Sequence, residues 1–326
     1  MRADTGLVAE TLAELSAIGP YYAISPGPGF GEDGGWRPLS ELVTDTGALR
    51  AKIEDYQRRL GAEEIRVAAS ILFQGLAARL WSPIVGAVAA RGLIPAEAPS
   101  DIHWRPAPTG PLPLRAAVTS HWVVLPDEGG SFREALPVGG GSSARDVPAG
   151  GTFSCGTLPE GGAESQGGAG SQGEGGPEGG GGPQGRDGSQ GAGGAAEVAY
   201  RVVVTELLEP LLGAVREIAG VSVPLLWGNA ASSLAGTLRT LPVARPDLGP
   251  RAARFVREVL GLGVLADTGR LAEPAPGWYS FVRVSCCLYY RVPGGGMCDD
   301  CALLDPAVRE AQWAHAARRA GEGAGA

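Results

Sequence analysis

The chain has 326 residues, a formal net charge of −8 and a hydrophobic content of 44%, which allows one large or two modest globular domains. Its acidic charge, without an Arg/Lys-rich patch interleaved with aromatic residues, argues against nucleic acid as a partner. The apolar runs stop well short of the ~20 residues that span a bilayer, and the N-terminus lacks the pattern of a secretory signal. We therefore expect a cytoplasmic protein without a transmembrane segment, in which clustered cysteines bind metal rather than form disulfides.

The first predicted elements are helices. Leucines at helical spacing predict a short amphipathic helix that ends at Gly19-Pro20. Residues 25–31 are rich in Gly and Pro and predict a surface loop, because two prolines and the absence of a following Lys argue against a phosphate loop. Ser40 is the predicted N-cap of the next helix, which runs to about Leu60 and ends at Gly61.

A more apolar helix follows, from about Glu63 to Val88, with a predicted interruption at Pro83. Because apolar residues cover most of its circumference, it should be the central, buried helix of the protein. Phe73 and Trp81 on this helix are expected to be core residues rather than groups that stack on a cofactor.

After the central helix the pattern changes to short strand-like pieces, at residues 101–104, 112–115 and 121–125. Four prolines in this region confine the pieces to edge strands or extended segments. His103 and His121 each stand beside a tryptophan. We expect both to be polar residues at an edge, packed against the indole, with the lining of a substrate cleft as the alternative. Neither is assigned as a metal ligand.

Residues 139–194 are dominated by Gly, with scattered Glu, Ser, Gln and Pro. Such a sequence cannot bury enough apolar surface to offset the entropy lost on ordering, so we predict a disordered linker or a greatly expanded loop. Cys155 lies within this stretch and is expected to be a free thiol that takes no part in a metal site.

Helical periodicity returns at Ala195 and predicts a long helix with a kink at Pro210. Residues 223–236 predict a second helix, whose many small residues allow close packing, and a third is predicted to open at Pro246 or Asp247. An aromatic and β-branched strand over residues 277–284 then leads into a cysteine-rich segment.

A terminal helix is predicted to start at Asp305-Pro306. These elements together predict an α+β fold that is predominantly helical, with a few short strands. The predicted division of the chain is an N-terminal α+β part of the body (1–138), the Gly-rich linker (139–194), a helical part of the body (195–275) and a C-terminal cysteine-containing segment (276–326).

Four of the five cysteines fall within sixteen consecutive residues: Cys286, Cys287, Cys298 and Cys301. Clustered thiolates are soft ligands that suit iron-sulfur clusters or zinc. Neighbouring side chains on an extended strand point to opposite faces, so the Cys-Cys doublet requires a bend in the backbone. A 2Fe-2S cluster, whose two irons each need two ligands, tolerates a doublet better than a single zinc ion does, and the sequence leaves both open. The turn at residues 293–296 is expected to bring Cys298 back over Cys287.

The run from Cys286 to Arg291, followed by a Gly-containing turn and a Cys-x2-Cys pair, resembles the C-terminal signature of the FhuF-type ferric-siderophore reductases. Leu288, Tyr290 and Arg291 fit this run, and Trp227-Gly228-Asn229-Ala230 resembles another stretch of that family. The four clustered cysteines match the family's four cluster ligands. The resemblance therefore implies a C-terminal 2Fe-2S cluster held by Cys286, Cys287, Cys298 and Cys301.

The same resemblance implies a function. The implied protein is an oxidoreductase that passes one electron through the cluster to ferric iron held by a hydroxamate-type siderophore, and thereby releases ferrous iron in the cytoplasm. The implied partners are the ferric siderophore, an electron donor such as a ferredoxin, and a siderophore importer in transient contact. No catalytic residue beyond the cluster ligands is implied. Two alternatives stay open, a binding module with structural zinc and an iron-sulfur sensor without reductase activity.

Three residues beside the doublet have expected roles near the metal. Tyr289 and Tyr290 are expected to pack against it or shield one side of it. Arg291 is expected either to anchor a salt bridge or to tune the cluster or contact the substrate.

Overall fold

The computed structural model describes residues 2–26, 35–95, 102–107, 110–116, 122–124 and 194–323. The predictions for residues 27–31, for His121, for Cys155 and for the Gly-rich stretch up to residue 193 lie outside the described residues.

Helices dominate the described chain, which confirms the predicted α+β class. In chain order the α-helices are α1 (Thr5–Ser16), α2 (Glu41–Thr44), α3 (Thr46–Leu60), α4 (Ile65–Arg91), α5 (Ala195–Ala199), α6 (Glu209–Ala219), α7 (Val223–Ala244), α8 (Gly249–Leu260) and α9 (Pro306–Gly323). Short 3-10 turns lie at Pro246–Leu248, Gly263–Leu265 and Tyr289–Arg291.

Helix α4 is the central element of the body. It packs against α7 along much of its length and also contacts α1, α3, α6 and α8. By length and composition it could cross a bilayer, but 94% of its most apolar stretch is buried inside the protein, which is the pattern of a core helix. Phe73 and Trp81 are fully buried, as predicted.

The predicted interruption of this helix at Pro83 is wrong, because α4 continues from Ile65 to Arg91 without a break. A proline in a helix removes one backbone hydrogen bond and crowds the preceding turn. Pro83 and the residues on both sides of it are buried in the core, so tertiary packing holds the segment helical against its local preference.

The predicted helix from Ser40 to about Leu60 is two helices, and Ser40 stands at the N-cap position of the first, α2. Helix α2 ends after one turn, and Asp45 caps α3 by accepting a hydrogen bond from the backbone N–H of Ala48 at 3.0 Å. Ser40 has helical backbone angles and makes no capping bond. The predicted end of this region is confirmed, since Gly61 closes α3 with φ of 62°, a left-handed conformation that favours glycine.

The long helix predicted from Ala195 is present, but its middle is not α-helical. Tyr200–Leu208 forms a π-helix that joins α5 to α6 in a continuous helical path. Pro210 follows directly after the π-helix, in the first turn of α6, and its ring leaves one carbonyl of the preceding turn without a backbone N–H partner. The predicted helix at residues 223–236 is confirmed as part of α7.

The strands are short: β1 (Ile24–Pro26), β2 (Arg37–Pro38), β3 (Leu93–Pro95), β4 (Ile102–Trp104), β5 (Leu114–Ala116), β6 (Trp122–Val124), β7 (Gly269–Ala275) and β8 (Trp278–Arg283). One sheet has the order β1-β5-β4-β2, in which β1 and β5 run parallel and the other pairs antiparallel. The pairs β3-β6 and β7-β8 are antiparallel. Strand β1 takes up the start of the segment predicted as a loop, and β7 was not predicted.

The edge-strand prediction is wrong for β4 and β5, which are the two inner strands of the four-stranded sheet. The prolines lie beside these strands rather than within them, so their missing N–H groups do not interrupt the ladder. His103 lies on β4, opposite Arg115 in the register, and only 4% of its surface is exposed. It is therefore a buried residue of the sheet and not a polar residue at an edge.

Candidate metal centre

The backbone around the cysteines leaves strand β8 and turns sharply twice. A bend follows Arg283, and Leu288, just after the doublet, has the left-handed angle φ of 68°. A 3-10 turn and the glycine turn follow, in which Gly294 and Gly296 have φ of 73° and 69°. Glycine adopts such angles without steric cost, and the chain can therefore reverse within a few residues, as the sequence predicted.

This reversal brings the two cysteine pairs together. The Sγ atoms of Cys287 and Cys298 are 3.5 Å apart, which agrees with the expectation that the turn returns Cys298 over Cys287. Cys287, Cys298 and Cys301 are buried in a small cluster of their own, while Cys286 is half-buried. None of these four cysteines forms a disulfide.

Two backbone N–H groups point at sulfur. Leu288 donates to Cys286 Sγ and Leu303 donates to Cys301 Sγ, each at 3.4 Å. The hydrogen bond from Cys298 and the backbone N–H groups of Leu303 and Leu304 lower the pKa of the Cys301 thiol to about 6, against the effect of burial. The hydrogen bond with Cys287, together with burial, raises the pKa of Cys286. The pocket thus favours thiolate at one end of the site, as a metal ligand requires.

The thiols are arranged as two pairs. Cys286 interacts with Cys287, and Cys301 with Cys298, while the contact between Cys287 and Cys298 joins the pairs. Within the described ranges, no three His, Cys, Asp or Glu side chains are arranged to hold one metal ion. Two linked pairs fit a 2Fe-2S cluster, because each of its two irons takes two protein ligands. The donor set therefore fits that cofactor.

A buried polar network fixes the doublet to the helical body. Ser70 on α4 donates its hydroxyl to the backbone carbonyl of Cys287 at 2.7 Å. Asn229 on α7 donates to the hydroxyl and the carbonyl of Ser70, at 2.9 and 2.8 Å. Arg283 at the end of β8 donates to the Asn229 side-chain oxygen and to Gln74. The position of Cys287 is therefore set by three separate elements of the body.

A second set of polar contacts holds the other cysteine pair. Asp300, which is buried, accepts hydrogen bonds from Arg239, at 2.6 Å, and from Ser232. Its backbone carbonyl accepts from the N–H of Arg283 at 3.2 Å. Arg309 on α9 donates to the backbone carbonyl of Cys301 at 2.8 Å. Helix α7 thus holds the chain at Asp300, and the terminal helix holds it at Cys301.

Gly228 explains why the cysteine segment can lie so close to α7. A Cβ atom at this position would come within 2.3 Å of Ser285 Oγ, and Ser285 itself donates to the carbonyl of Pro224 at 3.0 Å. Two residues of the stretch Trp227-Gly228-Asn229-Ala230, which resembles the family, thus serve the site. Gly228 allows the cysteine segment to approach α7, and Asn229 supplies the side-chain amide that binds Ser70.

Arg291 forms a salt bridge with Glu64 and lies over the ring of Tyr290. Arg291 and Glu64 are each 37% exposed. Of its two predicted roles, the structure shows the salt-bridge anchor, which ties the segment to the start of α4. Tyr289 packs against the buried thiols, whereas Tyr290 is exposed.

Several residues of the site were missed by the sequence analysis: Ser70, Gln74, Ser232, Arg239, Arg283, Asp300 and Arg309. A signal existed for two of them. Ser70 and Gln74 are four residues apart on a helix that is mostly apolar, and buried polar groups in such a helix need partners. The others lie in segments whose pairing depends on the tertiary fold.

Comparison with known proteins bears on the C-terminal segment. The family model for the FhuF 2Fe-2S C-terminal domain matches residues 283–303, the stretch from Arg283 through the four cysteines. No curated protein and no solved structure gives a match. The matched domain carries the 2Fe-2S cluster as its cofactor, in agreement with the thiol pairs. Residues 283–303 therefore form a segment similar to the FhuF 2Fe-2S C-terminal domain.

Proposed function

We propose that this protein reduces ferric iron bound in a hydroxamate-type siderophore and releases ferrous iron in the cytoplasm. The observation that supports the proposal most directly is the four-thiol site within the matched FhuF segment, with Cys286 half-buried and the other three thiols buried. Buried ligands protect the cofactor from water, and a half-buried ligand brings one edge of the site towards the solvent, where an electron can be exchanged.

The chemistry needs one electron for each iron. When bound, the cluster supplies a one-electron redox centre. The reduced protein gives one electron to the ferric ion, which becomes ferrous, and the protein returns to its oxidised form. Ferrous iron is less highly charged and binds hard oxygen ligands far more weakly, so the metal leaves the chelate without acid-base or nucleophilic catalysis. A protein such as a ferredoxin resupplies the electron.

The surface of the cysteine segment suits brief contact with such partners. Most of the large exposed hydrophobic residues in the described part of the chain belong to this segment or to the start of α9: Val284, Tyr290, Met297, Leu303 and Val308. Exposed apolar side chains near a functional site are typical of interaction surfaces, and complexes for electron transfer are commonly small and weak.

Anaerobic single-turnover measurement tests this function. Purified protein is expected to contain iron and acid-labile sulfide in equal amounts. After reduction and mixing with a ferric trihydroxamate chelate, it is expected to release one ferrous ion per cluster, detected with a ferrous-specific dye. The Cys298→Ser variant is the matched control and should release none.

Two outcomes would contradict the proposal. Colourless protein with stoichiometric zinc and no sulfide would indicate a structural zinc module. A reduced cluster that no ferric chelate oxidises would indicate an iron-sulfur sensor.

A further inference from the structure

Two arginines are buried in the polar network that holds the cysteine pairs. Arg283 ends β8, three residues before Cys286, and Arg309 lies in the first turns of α9. Their exposed fractions are 3% and 8%. Guanidinium groups keep their charge in proteins, so each arginine places a positive charge inside the protein, within the polar contacts that hold the cysteine pairs.

The partners of both arginines are neutral. Arg283 donates to the side-chain oxygens of Asn229 and Gln74, and Arg309 donates to the backbone carbonyls of Cys301 and Leu304, both at 2.8 Å. The Nε atom of each is buried without a hydrogen-bond partner. Neither forms an ion pair within the part of the chain that the structure describes.

The nearby buried carboxylate is already balanced. Asp300 pairs with Arg239 at 2.6 Å and accepts a further hydrogen bond from Ser232. Its negative charge is therefore offset by Arg239, which leaves Arg283 and Arg309 as two buried cations without an anionic partner among the described residues.

Burial of an unpaired charge is strongly unfavourable unless an opposite charge or a full set of hydrogen bonds compensates it. The charge of Arg79 on α4 is compensated by a full set of hydrogen bonds. Each of its three side-chain nitrogens donates to a backbone carbonyl, at Leu112, Tyr21 and Ala23. Arg283 and Arg309 lack this complete set, since one nitrogen of each has no partner. We therefore expect an anion close to Arg283 and Arg309 that compensates their charge.

We propose that Arg283 and Arg309 supply the counter-charge of the 2Fe-2S cluster and thereby raise its reduction potential. With four thiolate ligands the cluster is dianionic when oxidised and trianionic when reduced. Positive charge held nearby in a medium of low dielectric stabilises the reduced form more than the oxidised form. This inference depends on the cluster and not on the ferric substrate.

The two arginines reach the ligands by short hydrogen-bonded routes. Arg309 touches the carbonyl of Cys301 directly. Arg283 connects to the carbonyl of Cys287 through Asn229 and Ser70. Arg291, the candidate named by the sequence, is a weaker choice, because it is partly exposed and already paired with Glu64, so solvent and its partner screen its charge.

The test is the midpoint potential of the intact holoprotein, measured by anaerobic redox titration of the visible absorbance. We expect Arg283→Gln and Arg309→Gln each to disfavour the reduced form about tenfold, a shift of ~59 mV to more negative potential for a one-electron couple. Arg283→Lys retains the charge and should stay near the wild-type potential. Arg291→Gln is the control near the site and should leave the potential unchanged.

Three results would overturn the inference. The first is an unchanged potential in both glutamine variants at full cluster content. The second is an equal shift in Arg283→Lys and Arg283→Gln, because the shift would then follow side-chain shape and not charge. The third is a shift in Arg291→Gln as large as in the buried variants. If Arg283→Gln fails to retain its cluster, Arg309→Gln and Arg283→Lys decide the matter by the same criteria.

Discussion

At the scale of single residues, Gly228 has an unusual importance for a residue without a side chain. Its Cα faces Ser285, whose Oγ would lie 2.3 Å from a Cβ atom built there. Heavy atoms do not approach so closely, so either the serine or the whole cysteine segment would have to move. The same helix turn carries Asn229, and a displaced segment would also weaken the hydrogen bond between Asn229 and Arg283.

We expect Gly228→Ala to destabilise the protein by about 1–3 kcal/mol, the usual cost of overpacking a buried contact. The measurement is denaturant unfolding of the holoprotein. Ser285→Ala removes the clashing oxygen, so the double variant should recover much of the loss. A Gly228→Ala protein as stable as wild type, or a double variant with no recovery, would contradict the close-contact explanation.

The four clustered cysteines are expected to differ sharply from the fifth. Cys287→Ser and Cys298→Ser each remove a buried sulfur from the contact between the two pairs, so both variants should lose the visible absorbance and the sulfide of the cluster. Cys155→Ser is the control, because that residue is predicted to take no part in the site. Loss of the cluster in the control would show that Cys155 donates a ligand.

At the scale of elements, the link between α4 and α7 positions the site. Ser70 and Asn229 face each other across these helices, and the hydroxyl of Ser70 reaches the backbone of Cys287. Removal of one partner leaves buried polar groups unsatisfied, which costs about 1–3 kcal/mol. The two helices therefore hold the doublet by contacts that act together.

A double-mutant cycle of Ser70→Ala and Asn229→Ala tests this coupling. We expect each single variant to lose about 1–3 kcal/mol of unfolding free energy, and the double variant to lose less than the sum by about 0.5–3 kcal/mol. Thr11→Ala, at a buried hydroxyl of α1 that bonds within its own helix, is the control and should be additive with either. Additive losses for Ser70 and Asn229 would contradict the network.

The same elements show what the sequence could predict. The spacing of apolar residues predicts helices in the regions of α3, α4 and α7, and all three are present. The cap at Asp45, the unbroken passage through Pro83 and the π-helix at Tyr200–Leu208 were missed, since these depend on packing against distant parts of the chain. The ligand cysteines are close in sequence and carry a specific motif. Their polar partners come from α4, α7 and α9 and could not be paired from spacing alone.

At the scale of the whole molecule, the cysteine segment is joined to the body at several places. Arg291 pairs with Glu64 at the start of α4. The ring of Pro293 lies beside Gly61, 3.7 Å from the place that a Cβ atom would take there. The network through Ser70 and Asn229 adds a buried connection. Loss of the cofactor should therefore lower the stability of the helical core as well as that of the cysteine segment.

We expect removal of the cluster to lower the thermal stability of the full chain, because a cofactor that binds the folded state stabilises it by mass action. Hydrogen exchange by mass spectrometry should then show faster exchange in residues 284–309 and also around Ser70 in α4 and Asn229 in α7, whose bonds depend on the position of Cys287. The part of α8 distant from this network serves as the internal control and should stay protected. Faster exchange confined to residues 284–309, with unchanged α4 and α7, would mean that the segment unfolds independently and that the polar network does not carry the coupling.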